Sequence, residues 1–79
     1  MITLNSTLVL NTLIKHETLT LTDIAKEENL GMIPNKQHLR FILEELDESG
    51  FIQKLDGAAV STYTITDKGI KEGKRLKEV

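Results

Sequence analysis

Asn35, Lys36, Gln37, His38 and Arg40 stand almost side by side, and all five side chains can donate hydrogen bonds. Arg and Gln carry donor patterns that match base edges in the major groove of duplex DNA, and Lys holds phosphate. Just beyond them Leu39, Ile42, Leu43 and Leu46 recur at helical spacing, which predicts a helix with one buried face. At about 100° per residue from Leu39, these four cluster within roughly 60°. Phe41 falls nearly opposite, at about 200°, flanked by Gln37, Arg40, Glu44, Glu45 and Glu48. The donors occupy the first turn, the end of such a helix that usually meets bases. Lys54, in the strand that follows, is a further candidate for phosphate.

The second half of this helix has the opposite character. Glu44, Glu45, Asp47 and Glu48 would border phosphate, and like charges repel. Screening confines that repulsion to about 8–10 Å at ordinary salt, so contact limited to the first turn tolerates it. Phe41 admits three readings: cover by a neighbouring helix or a second copy, contact with a thymine methyl, or simple exposure. With Glu44 and Glu45 beside it, it is also the centre of a candidate protein interface, because interface hot spots are often aromatic with a polar surround.

The charge of the chain is uneven. Net charge over the 79 residues is −2, whereas DNA-binding domains are often basic. Residues 17–48 hold eight acids against three bases, Lys26, Lys36 and Arg40; residues 49–79 hold six bases against four acids. Hydrophobic content of 39% and charged content of 28% suit a globular chain, and the length suits one domain over 1–79. Without cysteine there is neither disulfide nor thiolate metal site. No apolar run is long enough to span a bilayer, and the N-terminus lacks the pattern of a signal peptide. The expectation is a cytoplasmic protein that makes no membrane contact.

Around the donor-bearing helix the expected elements are few. Asn5 or Ser6 caps a first helix that buries Val9, Leu10, Leu13 and Ile14 and frays near His16. Thr18-Leu19 is extended, a candidate third strand. Thr20-Leu21-Thr22-Asp23 has the spacing of a capping box, predicting a second helix to about Asn29 that buries Leu21, Ile24 and Ala25. Leu30 closes that helix and Asn29-Leu30-Gly31 turns. A third helix starts at Asn35, or with Pro34 at its first position, and runs to Ser49. Gly50 stops it through a left-handed residue. Residues 51–55 and 62–66 are strands joined by a turn at Asp56-Gly57. Thr66 or Asp67 caps a last helix carrying Ile70, Leu76 and Val79 inward, with Gly69 and Gly73 allowing close approach.

A helix that runs through glycine into a β-hairpin resembles the winged helix-turn-helix superfamily, most of all the MarR and PadR groups of bacterial regulators. Residues 43–52, Leu-Glu-Glu-Leu-Asp-Glu-Ser-Gly-Phe-Ile, are similar to their leucine-rich helix ending in Gly and two apolar residues. Residues 63–69, Tyr-Thr-Ile-Thr-Asp-Lys-Gly, are similar to their Tyr-x-Leu-Thr-x-x-Gly closing strand. The resemblance covers roughly residues 6 to 76. It implies a mostly α chain with a small β-hairpin (α+β): a three-helix core, a two- or three-stranded wing and a short C-terminal helix. It also implies a DNA-binding transcriptional regulator acting as a symmetric dimer. The wing loop Asp56-Gly57-Ala58-Ala59-Val60-Ser61 departs from those families, which usually carry Arg or Lys there.

Other chemistry finds little footing. His16 and His38 are far apart, and Ser6, Ser49 and Ser61 lack a nearby base with an orienting acid, so neither a metal site nor a catalytic triad is expected. No cofactor is implied and an enzyme is not expected. Lys71, Lys74, Arg75 and Lys77 read first as cations complementing a helix C-terminus. An interaction module that retains the winged-helix architecture without binding nucleic acid is the alternative function.

Overall fold

Asn5 begins the first helix, its Oδ1 accepting the Leu8 N–H at 2.9 Å. The computed structural model describes residues 3–55, 57 and 59–77, with backbone alone at 77. Val79, Asp56, Ala58 and the Lys77 side chain, all named above, lie outside the described residues. Helix α1 (Ser6–His16) leads to β1 (Thr18–Thr20), then to the short helices α2 (Leu21–Ile24) and α3 (Glu27–Leu30). Helix α4 (Lys36–Glu48), strands β2 (Ile52–Leu55) and β3 (Thr62–Ile65), and helix α5 (Asp67–Lys77) follow. Among the described residues, no helix is long and apolar enough to cross a membrane.

Between α1 and β1 the chain reverses at Glu17 with φ 73° and ψ −61°, a region that costs a non-glycine residue about 1–3 kcal/mol. Its neighbours hold it there. The Glu17 N–H donates to the Leu13 carbonyl, and its own carbonyl accepts the Ile65 N–H at 2.9 Å, so the turn ties α1 to β3.

The second helix departs from expectation. It is two single turns rather than one run from Thr20 to Asn29. Thr20 does cap α2, its Oγ1 accepting the Asp23 N–H at 3.1 Å. Lys26 is extended, at φ −68° and ψ 134°, and breaks the helix. The cause is competition for the Asp23 carbonyl: the Asn29 side chain donates to it at 2.8 Å and the Lys26 N–H at 3.3 Å. A side chain has taken the place of a continuing backbone ladder. Asn29 and Leu30 therefore belong to α3 rather than to a turn, and α3 ends at Gly31 with φ 88°.

The sheet has three strands in the order β1-β3-β2, antiparallel throughout, so the candidate strand at Thr18 is real. Leu19 and Lys54 both stand opposite Tyr63, and Ile52 opposite Ile65. Directly opposed residues share a face, so Leu19, Ile52, Lys54, Tyr63 and Ile65 point to one side. Thr18, Thr20, Gln53, Thr62 and Thr64 point to the other, where the Thr18 and Thr64 hydroxyls meet at 2.9 Å. Beneath the first face lies the core: Leu4, Val9, Leu10, Leu13, Ile24, Leu30, Leu39, Ile42, Leu43, Leu46, Ile52 and Tyr63. The four apolar positions expected inward on the third helix are all buried.

At the end of α4 three segments are locked together. The Phe51 N–H reaches the Leu46 carbonyl and the Gly50 N–H the Asp47 carbonyl, both at 3.0 Å, with Gly50 at φ 83°. This is a Schellman stop. Thr66 then caps α5 by accepting the Gly69 N–H at 3.0 Å. Its hydroxyl hydrogen is shared between the carbonyls of Gly50 (2.7 Å) and Phe51 (2.9 Å). Lys68 Nζ donates to the Ser49 carbonyl at 2.7 Å and lies 5.2 Å from the centre of the Phe51 ring. The Thr-Asp-Lys-Gly sequence thus has a physical meaning: cap, carbonyl donor and close approach within four residues.

The two glycines of α5 differ in what they face. A Cβ on Gly69 would collide with the Phe51 carbonyl and stand 2.8 Å from Ile65 Cδ1. A Cβ on Gly73 would meet the movable end of the Ile14 side chain. Gly69→Ala is expected to lose about 2–3 kcal/mol, because backbone cannot yield cheaply. Gly73→Ala should stay within about 1 kcal/mol of the parent, since the gain in helix propensity offsets a rotamer change at Ile14. Urea denaturation of both variants checks the order; equal losses would show that Ile14 is as rigid as the Phe51 backbone.

Candidate nucleic-acid interface

Helix α4 presents its first turn to solvent. Asn35 caps it, Oδ1 accepting the His38 N–H at 3.0 Å. The first turn contains no acid, and the positive end of the helix dipole lies there. Asn35, Lys36, Gln37, His38 and Arg40 are all exposed. His16 is exposed too, and among the described residues no three His, Asp or Glu side chains gather as metal ligands would.

Two clefts run along this side of α4. The first, of about 300 Å³, lies between α2 and α4 and is lined by Leu21, Thr22, Ala25, Lys26, Lys36, Leu39 and Arg40. The second, of similar size at about 300 Å³, lies between α4 and the hairpin, lined by Leu21, Arg40, Glu44, Asp47, Lys54, Ser61 and Tyr63. Leu21 and Arg40 belong to both. The structure therefore brings Lys36, Arg40 and Lys54 to one continuous edge of the helix, with Arg40 at its middle. Lys54 reaches that edge because its register places it opposite Tyr63, on the sheet face that looks toward α4. Its backbone N–H is held at 3.4 Å by Asp47 Oδ1.

The helical wheel separates the remaining residues. Phe41 is 57% exposed and no described part of the chain covers it. Glu45 and His38 lie on the edge of α4 away from the clefts, about 140–160° from Arg40. Gln37 and Glu44 fall between these two edges. Ile33, just before α4, is 75% exposed and adds a second apolar group near that end of the helix. The loop after β2 adds no cation among its described residues, and Val60 is exposed there.

At the far end of the molecule the cations serve the fold. Lys68 is spent on Ser49 and Phe51, and Arg75 grips Glu72 through two hydrogen bonds, of 2.5 and 2.9 Å. Lys71 and Lys74 are exposed on α5.

The backbone arrangement is similar to that of several solved regulators. A transcriptional regulator from Clostridium thermocellum superposes with a TM-score of 0.78 at 24% identity, over 92% of this chain and 76% of that one. The oxidized form of MarR from E. coli gives 0.74 at 15% identity, over 92% of this chain and 51% of MarR. PadR from Bacillus subtilis, solved in complex with operator DNA, gives 0.71 at 23% identity, over 91% of this chain and 45% of PadR. This chain thus spans about half the length of MarR and of PadR. No protein-family profile matches the sequence, and no curated protein matches it closely. At these identities the likeness establishes the fold, which is the winged helix of MarR- and PadR-type regulators.

Lys26 is the residue that the sequence did not single out. Its signal was available only as a base three residues after Asp23; it stands between α2 and α3 and lines the first cleft. There its Nζ meets Asp23 Oδ1 at 3.1 Å. The Lys26 ammonium first, and the Thr20 hydroxyl second, hold the Asp23 carboxyl below the usual carboxylate range. A carboxyl whose folded value is depressed adds stability above its unfolded value and loses that contribution as pH falls through the folded one. Carbon-detected NMR titration should therefore find an Asp23 midpoint below that of free aspartate, and Lys26→Ala should raise it. A midpoint indifferent to Lys26→Ala would remove the ammonium as the cause.

Proposed function

We propose that this protein is a DNA-binding transcriptional regulator that contacts duplex DNA through the N-terminal half of α4. One observation carries the reading: Lys36, Arg40 and Lys54 line adjoining clefts along a single edge of an exposed, uncapped-by-acid helix start. On this proposal the first turn enters the major groove, Gln37 and Arg40 reach base edges, and Asn35 and His38 donate from its lip. Lys36 and Lys54, joined by Lys26, neutralise phosphates on either side. The winged-helix fold supports the same conclusion, since PadR with this fold was solved on its operator. The proposal includes a cytoplasmic setting and a symmetric dimer, because a single module with so few cations reads few bases and binds weakly.

The double variant Lys36→Ala, Arg40→Ala is expected to abolish measurable binding to a mixed-sequence duplex at physiological salt. At low salt, where residual binding is seen by fluorescence anisotropy, the slope of log affinity against log salt should fall by about two. A double variant with unchanged affinity and slope would place the contact elsewhere. Amide-proton NMR titration of the parent chain with the same duplex then maps the face, with shifts expected at residues 35–41 and around Lys54.

A second reading has its own observation. Phe41 is 57% exposed at the middle of the solvent face, with Glu44 and Glu45 one turn on, which suits a protein interface. If that face pairs with a protein or a second copy, Phe41→Ala shifts sedimentation velocity toward a smaller species and leaves the salt slope of DNA binding as it was. Unchanged sedimentation at millimolar concentration sets the interface reading aside.

A further inference from the structure

We propose that Glu44 is the specificity-determining residue of this interface and that it selects cytosine. The inference rests on the DNA-binding reading given above. Glu44 sits on the second turn of α4, four residues after Arg40 and seven after Gln37. It is turned about 40° from Arg40 and about 20° from Gln37, and stands about 6 Å and 10.5 Å further along the axis. The same side of the helix that presents the two donors therefore presents this carboxylate. Glu45 lies about 100° further round, and Glu48 a full turn nearer the helix end, so neither shares the position.

The carboxylate is exposed and shares the second cleft with Arg40 and Lys54, yet among the described residues it forms no ion pair with either. Arg40 precedes Glu44 by four, the weaker of the two orders for a helical ion pair. Exposed to water in the free protein, this carboxylate needs a donor from the DNA once that face meets a duplex and the water is displaced. Base edges differ in whether they supply one. Guanine offers O6 and N7 and thymine offers O4, all acceptors that repel a carboxylate. Adenine offers an amino group with the N7 acceptor beside it. Cytosine alone presents an amino donor with no acceptor on that edge. Glu44 therefore gains an unopposed charge-assisted hydrogen bond at cytosine, a partly opposed one at adenine, and is repelled at guanine and thymine.

Arg40 and Lys54 make the position workable. Their charges lie on the lining of the same cleft and offset the repulsion between Glu44 and the nearest phosphates. The acid lowers affinity for DNA in general and raises discrimination, which accounts for an anion beside the cation-lined edge.

The test is selection of the full chain against a randomised duplex library at low salt, comparing the parent with Glu44→Gln and Glu44→Ala. The side chain is exposed, so both variants should retain the parental circular dichroism. The parent is expected to enrich cytosine at one position for each bound chain. Glu44→Gln should move that preference to adenine, whose N6 and N7 match an amide. Glu44→Ala should bind non-specific duplex more tightly and lose roughly tenfold to a hundredfold of discrimination at that position alone. A cytosine preference that survives both substitutions, or a parental motif with no preferred cytosine, overturns the assignment while leaving DNA binding intact. A parent that enriches no duplex and shows no low-salt binding overturns the DNA reading and this inference with it.

Discussion

Everything at the candidate interface depends on how α4 ends. The Schellman stop at Gly50 turns the chain sharply, and the direction it leaves in is fixed by Thr66, Lys68 and Gly69 of the next segment but two. Three carbonyls at the junction, those of Ser49, Gly50 and Phe51, would otherwise face only water. Each is met by a donor from the start of α5 or the residue that caps it. A helix end satisfied by a distant segment is a strong constraint, because the groups are bonded only in one arrangement. That arrangement sets β2 beside α4. Lys54 consequently faces Arg40 rather than the threonine side of the sheet.

The charge pattern of α4 reads differently once it is mapped onto this geometry. Counted along the sequence, acids outnumber bases across the helix and oppose any polyanion. In the fold, the cations from the α2–α3 junction, α4 and β2 converge on the cleft-lined edge, although they come from residues 26, 36, 40 and 54. The acids divide. Asp47 is held near the β2 backbone and Glu45 lies on the far edge, whereas Glu44 remains between the donors. Net charge is therefore a poor guide to what this surface can approach. The screening length of about 8 Å at physiological salt is comparable to the width of one helix, so each edge acts nearly on its own.

Much of this was legible in the sequence, for identifiable reasons. Leu39, Ile42, Leu43 and Leu46 have a strict helical period, and Gly50 follows where a left-handed residue is required, so α4 and its stop were readable from residue types alone. Tyr63 to Gly69 carried the closing strand and the cap of α5. The second helix was not legible. Its apolar spacing suits a continuous helix, and the break arises from the Asn29 side chain taking the Asp23 carbonyl, a contact between residues that periodicity does not weigh. The side of the sheet on which Lys54 stands was equally hidden. It follows from the β2–β3 register, which a one-residue slip would reverse.

The break between α2 and α3 bears directly on the site. A continuous helix from Thr20 to Asn29 would keep Lys26 in a regular ladder. Instead Lys26 is the extended residue between two turns, its carbonyl accepting the Asn29 and Leu30 N–H groups at the start of α3, and its side chain lies against the first cleft with Lys36 and Arg40. The Asp23 carboxylate holds it there in the absence of a stronger anion. An exposed ion pair of this kind is weak and screened by salt. A phosphate at the cleft, already attracted by Lys36 and Arg40, competes with Asp23 on favourable terms. Lys26, standing at the local irregularity that defeated the simple helical reading, thus joins Lys36, Arg40 and Lys54 along the clefts beside α4.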